Sequence, residues 1–227
     1  MENLSQPIAI PTLVDNYVWS WQLIDGSWVI IDPGASEPIL TKLGKISYIL
    51  LTHHHLDHTA GVDAIKLAHP AVTVVGPKGA HPAIDKIVTE GDSILNLQVI
   101  ATPGHTLDHI IYVGDRYVFV GDHLFKYGCG RVFEASLEVM YASLQKIKAL
   151  SADLLCFPAH EYTVDNLLFT KKYLPFPGIE QEIENNRKLM VTLPMELSEQ
   201  LKNNPFLACE SLAEFVRLRK AKDSFKV

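Results

Sequence analysis

No run of residues in this 227-residue chain is apolar over the length needed to cross a bilayer, so a helical membrane protein is not indicated. Basic charge is short as well. Twenty Lys and Arg against 26 Asp and Glu leave a formal net charge of −6, which argues against nucleic acid as a default partner. An anionic ligand must then meet a local cluster of cations rather than a general positive field. Cysteine is scarce: Cys129, Cys156 and Cys209 form no CxxC pair and are odd in number. That argues against a disulfide scaffold and for a reducing, cytoplasmic setting. Cys156, in the apolar run Leu154 to Phe157, reads as a small core residue. Cys129 lies between glycines without a nucleophile's usual partners. There is no GxSxG elbow for a serine acyl-enzyme, no internal repeat and no low-complexity tract. Met1-Glu2-Asn3-Leu4 carries neither the basic segment nor the hydrophobic stretch of an export signal. What remains is an ordinary globular composition, 48% hydrophobic and 20% charged, enough for one large domain or one domain with a small appendage.

Against that background one stretch stands out: ILLTHHHLDH, from Ile49 to His58. Imidazole is costly to bury without partners, yet this cluster follows directly on apolar residues. Ile46 to Leu51 is a short run rich in strand formers after the turn-prone Gly44 and reads as a buried strand. Past Thr52, backbone alternation points His53 and His55 one way and His54 another. Asp57 and His58 fall near the start of a helix. Nitrogen and oxygen ligands at the end of a rigid element suit zinc, iron or manganese. A polar loop or tag-like histidine tract is the bland alternative; the internal position after a strand and the aspartate inside the cluster argue against it.

The rest of the chain alternates strands with tight turns. Val18 to Leu23 and Trp28 to Ile31, joined through Asp25-Gly26, read as a hairpin ending at Asp32-Pro33-Gly34. Glu37 to Leu43 and Val62 to Ala68 read as helices. Val72 to Val75, Ile94 to Ala101, His109 to Val113 and Arg116 to Val120 read as strands. Ser136 to Leu150 has helical periodicity, with Leu137, Met140, Leu144, Ile147 and Leu150 on one face, and Asp153 to Phe157 reads as a last strand. Beyond Glu161 strand signals fade, and Glu180 to Met190 and Ser211 to Ala221 read as helices between Pro-containing connectors. The expected division is a mixed α/β domain over 1–161 and a small helical segment over 162–227.

Further candidate ligands each follow a strand signal: His105 in Thr102-Pro103-Gly104-His105-Thr106, Asp122 in Gly121-Asp122-His123, and His160 in Pro158-Ala159-His160-Glu161. Strand ends of one sheet can converge at one edge. A lone histidine at such a place is more often a hydrogen-bonded loop residue than a ligand. His69 and His81, before prolines, read as surface loop residues, and His109 and His123 receive no ligand assignment.

In the order His53, His55, Asp57, His58, His105, Asp122, His160 the sequence resembles the metallo-β-lactamase superfamily and, within it, the glyoxalase II family of hydroxyacylglutathione hydrolases. The resemblance extends through Val29 to Gly34, Leu124-Phe125, Gly128-Cys129-Gly130-Arg131, His160-Glu161-Tyr162-Thr163 and Lys222-Asp223-Ser224-Phe225. It implies an α+β fold, an αββα sandwich with a small C-terminal helical segment and the metals at one edge of two packed sheets. It implies two divalent metal ions, zinc first, with iron and manganese admitted by the same ligands. One would be held by His53, His55 and His105, the second by Asp57, His58 and His160, with Asp122 bridging. Asp57 and Asp122 are the expected catalytic carboxylates.

The implied reaction is hydrolysis of S-D-lactoylglutathione and related 2-hydroxyacylglutathione thioesters by a hydroxide shared between two metals. A thiolate, with a conjugate-acid pKa of roughly 8.5–9, leaves with little need of a protein acid. Glutathione carries two carboxylates and an ammonium, so its recognition needs cations. Arg217, Arg219, Lys220 and Lys222 supply them in one helical stretch, with Arg219 and Lys222 at i and i+3 on one face. The resemblance assigns Arg219 and Lys222 to the glycine carboxylate, and Arg131, Phe133 and Tyr162 to further glutathione contacts. Phe133 stands where the family often has tyrosine and Leu56 where it often has tryptophan, and Ala135-Ser136 replaces a usual glycine. The alternatives are another thioesterase or lactonase of the same superfamily, and, with one iron, a glutathione persulfide dioxygenase. A monomer acting on a small molecule is expected, with neither nucleic acid nor membrane as partner.

Overall fold

The computed structural model describes residues 6–226; Met1 to Leu4, read above for an export signal, lie outside the described residues. The chain divides into two compact units. One is Met1–Ala101 with Asp108–Tyr112, the other Thr102–Leu107 with Val113–Val227. Among the described residues the strands form two six-stranded sheets and one two-stranded ribbon.

In the first unit, β1 (Ile8–Thr12), β2 (Asn16–Gln22) and β3 (Trp28–Ile31) run antiparallel. The β2–β3 turn works because Gly26 takes φ +79°, a left-handed conformation that costs glycine little. Helix α1 (Glu37–Lys42) then carries the chain to β4 (Ile46–Leu50), parallel to β3. After the short α2 (Leu56–Thr59) and α3 (Val62–Ala68) come β5 (Thr73–Gly76) and β6 (Lys86–Ile87), both added in parallel, so the sheet order is β1-β2-β3-β4-β5-β6. Helical crossovers account for the parallel pairing of β3 with β4 and β4 with β5, a loop joins β5 to β6, and the tight turn accounts for the antiparallel β2–β3 pair. One face buries Ile30, Ile49, Leu51 and Val74 against Ile39, Val62 and Ile65 of the helices. The run Ile94 to Ala101, expected as one strand, is broken: β7 (Ser93–Ile94) and β8 (Leu97–Ala101) form a hairpin through Leu95 and Asn96, at φ +51° and +61°. Two consecutive left-handed residues make the turn that matches strand twist. Asn96 favours that conformation and Leu95 does not, so an apolar residue disguises the turn. Strand β9 (Ile110–Val113) follows.

The second unit starts its strands with β10 (Tyr117–Gly121), followed by the ribbon β11 (Leu124–Phe125) and β12 (Gly128–Cys129). Helix α4 (Leu137–Lys148) is capped by the Ser136 hydroxyl accepting from the Val139 N–H, and its periodic Met140, Leu144 and Ile147 are buried. It leads to β13 (Leu155–Pro158), parallel to β10. Then come α5 (Thr163–Tyr173), α6 (Ile179–Asn186), β14 (Met195–Glu196), α7 (Leu197–Asn203) and α8 (Leu212–Ser224). The strand β14 pairs antiparallel with β13, so Asp153 to Phe157 does not mark the last strand. Helix α5 escapes the apolar period because it buries Thr163, Asn166 and Thr170 beside Leu167 and Phe169. Those polar groups are paired: Asn166 donates to the Lys126 carbonyl and Thr170 to the Tyr127 carbonyl. Buried Asn204, just after α7, donates to the Phe125 and Gly128 carbonyls. The ribbon β11–β12 is therefore fixed by side chains far along the sequence.

Candidate metal centre

In the first unit the site begins where β3 and β4 end side by side. Asp32, just past β3, adopts φ +54°, and its buried carboxylate accepts from the Thr52 N–H at 2.8 Å and the Thr52 hydroxyl at 2.6 Å. The same carboxylate faces His58 Nδ1 at 3.1 Å. Carboxylate oxygens only accept, so His58 carries its proton on Nδ1 and presents Nε2 as a lone pair. The Thr52 hydroxyl donates its hydrogen bond to Asp32, so at 2.9 Å it accepts from His53 Nδ1, and His53 likewise presents Nε2. That atom lies 3.1 Å from His55 Nδ1. His54 turns to Asp108 Oδ1 at 3.0 Å, as alternation requires. The compact trio Asp32, His53 and His58, whose donor atoms lie within 4.8 Å of one another, is thus a hydrogen-bond relay that sets tautomers, since both Asp32 oxygens are occupied.

Asp57 Oδ2 lies 3.5 Å from His58 Nε2. Asn16 on β2 holds Asp57 by donating to its carbonyl at 3.2 Å and to Oδ2 at 3.1 Å. Gly34 lets this turn approach, because a Cβ there would overlap the Asp57 carbonyl. Below the histidines, Tyr112 donates to the Leu51 carbonyl at 2.8 Å. Burial, and then the Asp32 charge, push its hydroxyl well above the usual tyrosine range, so it stays a donor. His109 is buried with its ring 5.1 Å from that of His53.

In the second unit, parallel pairing of Gly121 with Pro158 sets Asp122 and His160 beside each other at the ends of β10 and β13. Asp122 Oδ1 lies 3.2 Å from His160 Nε2, and Asp122 Oδ2 lies 3.3 Å from His105 Nε2. His105 Nδ1 donates to the Arg131 carbonyl at 2.8 Å, which again leaves Nε2 as the lone-pair nitrogen. One carboxylate so stands between two imidazoles, both nearly buried. Gly130 makes room: a Cβ there would overlap the Asp122 carbonyl and crowd His105 Nδ1. His160 stacks on Tyr162 at 4.8 Å. His123, also buried, is pushed down to about 3 by burial first and by the nearby His105 second, so it is neutral.

The donor chemistry fits divalent cations. His105 Nε2, whose ring proton is engaged at Nδ1, and Asp122 Oδ2 lie 3.3 Å apart, and a divalent ion takes both as ligands. The same holds for Asp57 Oδ2 against His58 Nε2. The orienting shell, Asp32, Thr52, Asn16 and the Arg131 carbonyl, was missed from sequence. Only Asp32, ahead of Pro33-Gly34, carries a local signal.

Residues expected to touch glutathione lie in the second unit. Phe133 is 58% exposed and meets His105 edge-on at 5.2 Å, and Arg131 Nε reaches Asp223 at 3.4 Å. Lys222 donates to the Asp165 carbonyl at 3.3 Å and lies over the rings of Phe169 and Phe225. Arg219 lies deeper than Lys222. It is 3% exposed, donates from Nη1 to the Cys129 carbonyl at 2.8 Å and the Gly130 carbonyl at 3.4 Å, and from Nη2 to Asp223 at 3.0 Å. All three cysteines are buried and free; burial raises each thiol above its ordinary range, Cys209 to about 12. None is a poised nucleophile.

The description of the Metallo-beta-lactamase superfamily matches residues 14–96 and 82–160. A hydroxyacylglutathione hydrolase of Yersinia pestis (strain Pestoides F) is 40% identical over 248 residues, spanning 96% of this chain and 99% of that protein. One from Hahella chejuensis is 40% identical over 228 residues, spanning 91% and 87%. The crystal structure of ETHE1 from Myxococcus xanthus superposes with a TM-score of 0.72 at 24% identity, covering 95% of this chain and 90% of that one, a likeness of fold. The chain belongs to the metallo-β-lactamase superfamily and, within it, to the hydroxyacylglutathione hydrolase family. Its α+β fold with two sheets is the fold of that superfamily.

Proposed function

We propose that this protein hydrolyses S-D-lactoylglutathione and related 2-hydroxyacylglutathiones to glutathione and the free hydroxy acid. The observation that carries the reading is the Asp122 carboxylate set between His105 Nε2 and His160 Nε2, together with the shared family of the 40%-identical hydrolases. His53, His55 and His105 would hold one divalent ion, and Asp57, His58 and His160 a second. Asp122 would be a ligand shared by the two. Zinc is the first candidate, and iron or manganese suits the same donors. Such a pair, when bound, supplies hydroxide at neutral pH and polarises a carbonyl.

The chain's own residues do the rest. Asp32, directly at His58 and through the Thr52 hydroxyl at His53, anchors the Nδ1 protons and so turns both Nε2 atoms outward. Asp57, steadied by Asn16, orients the attacking water by accepting its proton's hydrogen bond. The thiol leaves as thiolate, so no separate acid is required. Arg131, Phe133, Tyr162 and Lys222 line the glutathione side, with Arg219 in their support, and the segment 162–227 serves as the glutathione-binding part. The protein works as a cytoplasmic monomer. No helix among the described residues is long and apolar enough to cross a membrane.

The test is metal analysis of the purified protein and its turnover of S-D-lactoylglutathione with and without oxygen. Metal-dependent hydrolysis at the same rate under both conditions is expected. Oxygen uptake with glutathione persulfide at rates above thioester hydrolysis would overturn the reading.

A further inference from the structure

Arg219 is a buried cation whose partners are one carboxylate, the Cys129 sulfur, and the backbone carbonyls of Cys129 at the end of β12 and of Gly130 just beyond it. The segment 129–131 touches the candidate ligands at two points. The carbonyl of Arg131 fixes the His105 tautomer at 2.8 Å, and Gly130 packs so closely on the Asp122 carbonyl that no side chain fits. The Gly130 N–H also donates to the His123 carbonyl at 3.2 Å. From Arg219, therefore, a short rigid path runs through Cys129, Gly130 and Arg131 to His105 and Asp122. At the other end Asp223 is shared, bonding Arg219 Nη2 at 3.0 Å and Arg131 Nε at 3.4 Å. The Arg219 guanidinium further lies 5.2 Å from the Phe206 ring centroid, which packs it in place.

We propose that Arg219 is a positioning residue for the metal centre: it clamps residues 129–131 so that His105 and Asp122 are held ready for the ion. This rests on the dinuclear reading above and departs from a direct contact with a substrate carboxylate. Outer groups that orient ligands typically change metal affinity or activity by about 10–100-fold when removed. A contact to the distant end of the substrate would instead change KM and leave metal affinity alone.

The experiment titrates zinc into metal-free wild type, Arg219→Ala, Arg219→Lys and Asp223→Asn against a competing chelator. Thermal unfolding of each apoprotein reports whether it is folded. Expected for Arg219→Ala is a loss of zinc affinity of about 10–100-fold, with kcat lowered on both a glutathione thioester and a small thioester lacking glutathione. Arg219→Lys, which keeps one donor toward the Cys129 carbonyl, should lose less. Asp223→Asn, on the half-exposed side of the pair, should shift affinity in the same direction and decides the matter if Arg219→Ala does not fold. Wild-type zinc affinity and wild-type kcat in the folded variants, with only KM for the glutathione thioester raised, would overturn the proposal. A wild type that takes up no zinc, iron or manganese would instead refute the dinuclear reading itself.

Discussion

Replacing Asp32 with Asn tests the histidine relay with a change of one atom. The Asp32 carboxylate meets three donors: the Thr52 N–H, the Thr52 hydroxyl and His58 Nδ1. An amide has one acceptor oxygen and one donor nitrogen. If its oxygen serves the Thr52 hydroxyl and His58, its NH2 faces the Thr52 N–H; turned over, it faces the other two. Hydrogen bonds to a charged group contribute about 1.5–3 kcal/mol each, and breaking a buried charged arrangement costs about 3–5 kcal/mol. Asp32, Thr52 and His58 are all nearly inaccessible to water, so solvent does not offset the loss and the upper part of that range applies. At roughly 2–4 °C per kcal/mol for a chain of this size, unfolding should begin about 10 °C lower. A second effect follows from the tautomer. In the turned-over orientation the amide NH2 faces His58 Nδ1, and the imidazole proton then sits on Nε2, the atom beside Asp57. Metal affinity should then fall by about 10–100-fold. Differential scanning calorimetry of the apoprotein reads the first effect and chelator competition the second. An Asp32→Asn protein with wild-type melting temperature and metal affinity would refute the relay.

Other substitutions separate the parts of the site. Asp122→Ala should abolish hydrolysis and lower metal content by elemental analysis, whereas His54→Ala, which removes only the pair with Asp108, should keep both metals. Gly130→Ala should lower metal content and melting temperature, because the added Cβ overlaps the Asp122 carbonyl; an unchanged protein would contradict the packing. Lys222 is lowered to about 8 by burial first and by the Arg219 charge second. Its folded pKa lies below the ordinary lysine value, so the ammonium is lost as pH rises through about 8. KM for the glutathione thioester should rise across that pH in wild type and stay level in Lys222→Ala, as read from initial rates between pH 7 and 9.5.

The parts of this molecule written locally were legible. The alternation that separates His54 from His53 and His55 is a property of extended backbone, and the structure keeps it, with His54 on Asp108 and His53 on His55. The hairpin at Asp25-Gly26 and the helix begun by Ser136 have their signals within a few residues. The breaks in legibility have physical causes. Leu95 takes a left-handed turn conformation despite its side chain, and α5 buries threonines and an asparagine where the helical period calls for apolar residues.

The candidate ligands were legible and their supports were not, and the difference is one of range. Asn16 and Asp57 are 41 residues apart, and Arg219 and Cys129 are 90 apart. No spacing rule couples such pairs, since each depends on where sheets and helices end after packing. Arg219 shows the consequence. A basic stretch near the C-terminus looks like a ready anion site, and the i, i+3 spacing does put Arg219 and Lys222 on one face. Within α8 it is Arg219 that donates to the Cys129 and Gly130 carbonyls. In a buried position those carbonyls need a donor, and the guanidinium with its several N–H groups is the one that supplies it while still reaching Asp223. Arg219, which the basic stretch places among candidate anion contacts, is in the structure a buried donor to backbone carbonyls, and Lys222, nearer the surface, is the cation whose ionisation burial weakens.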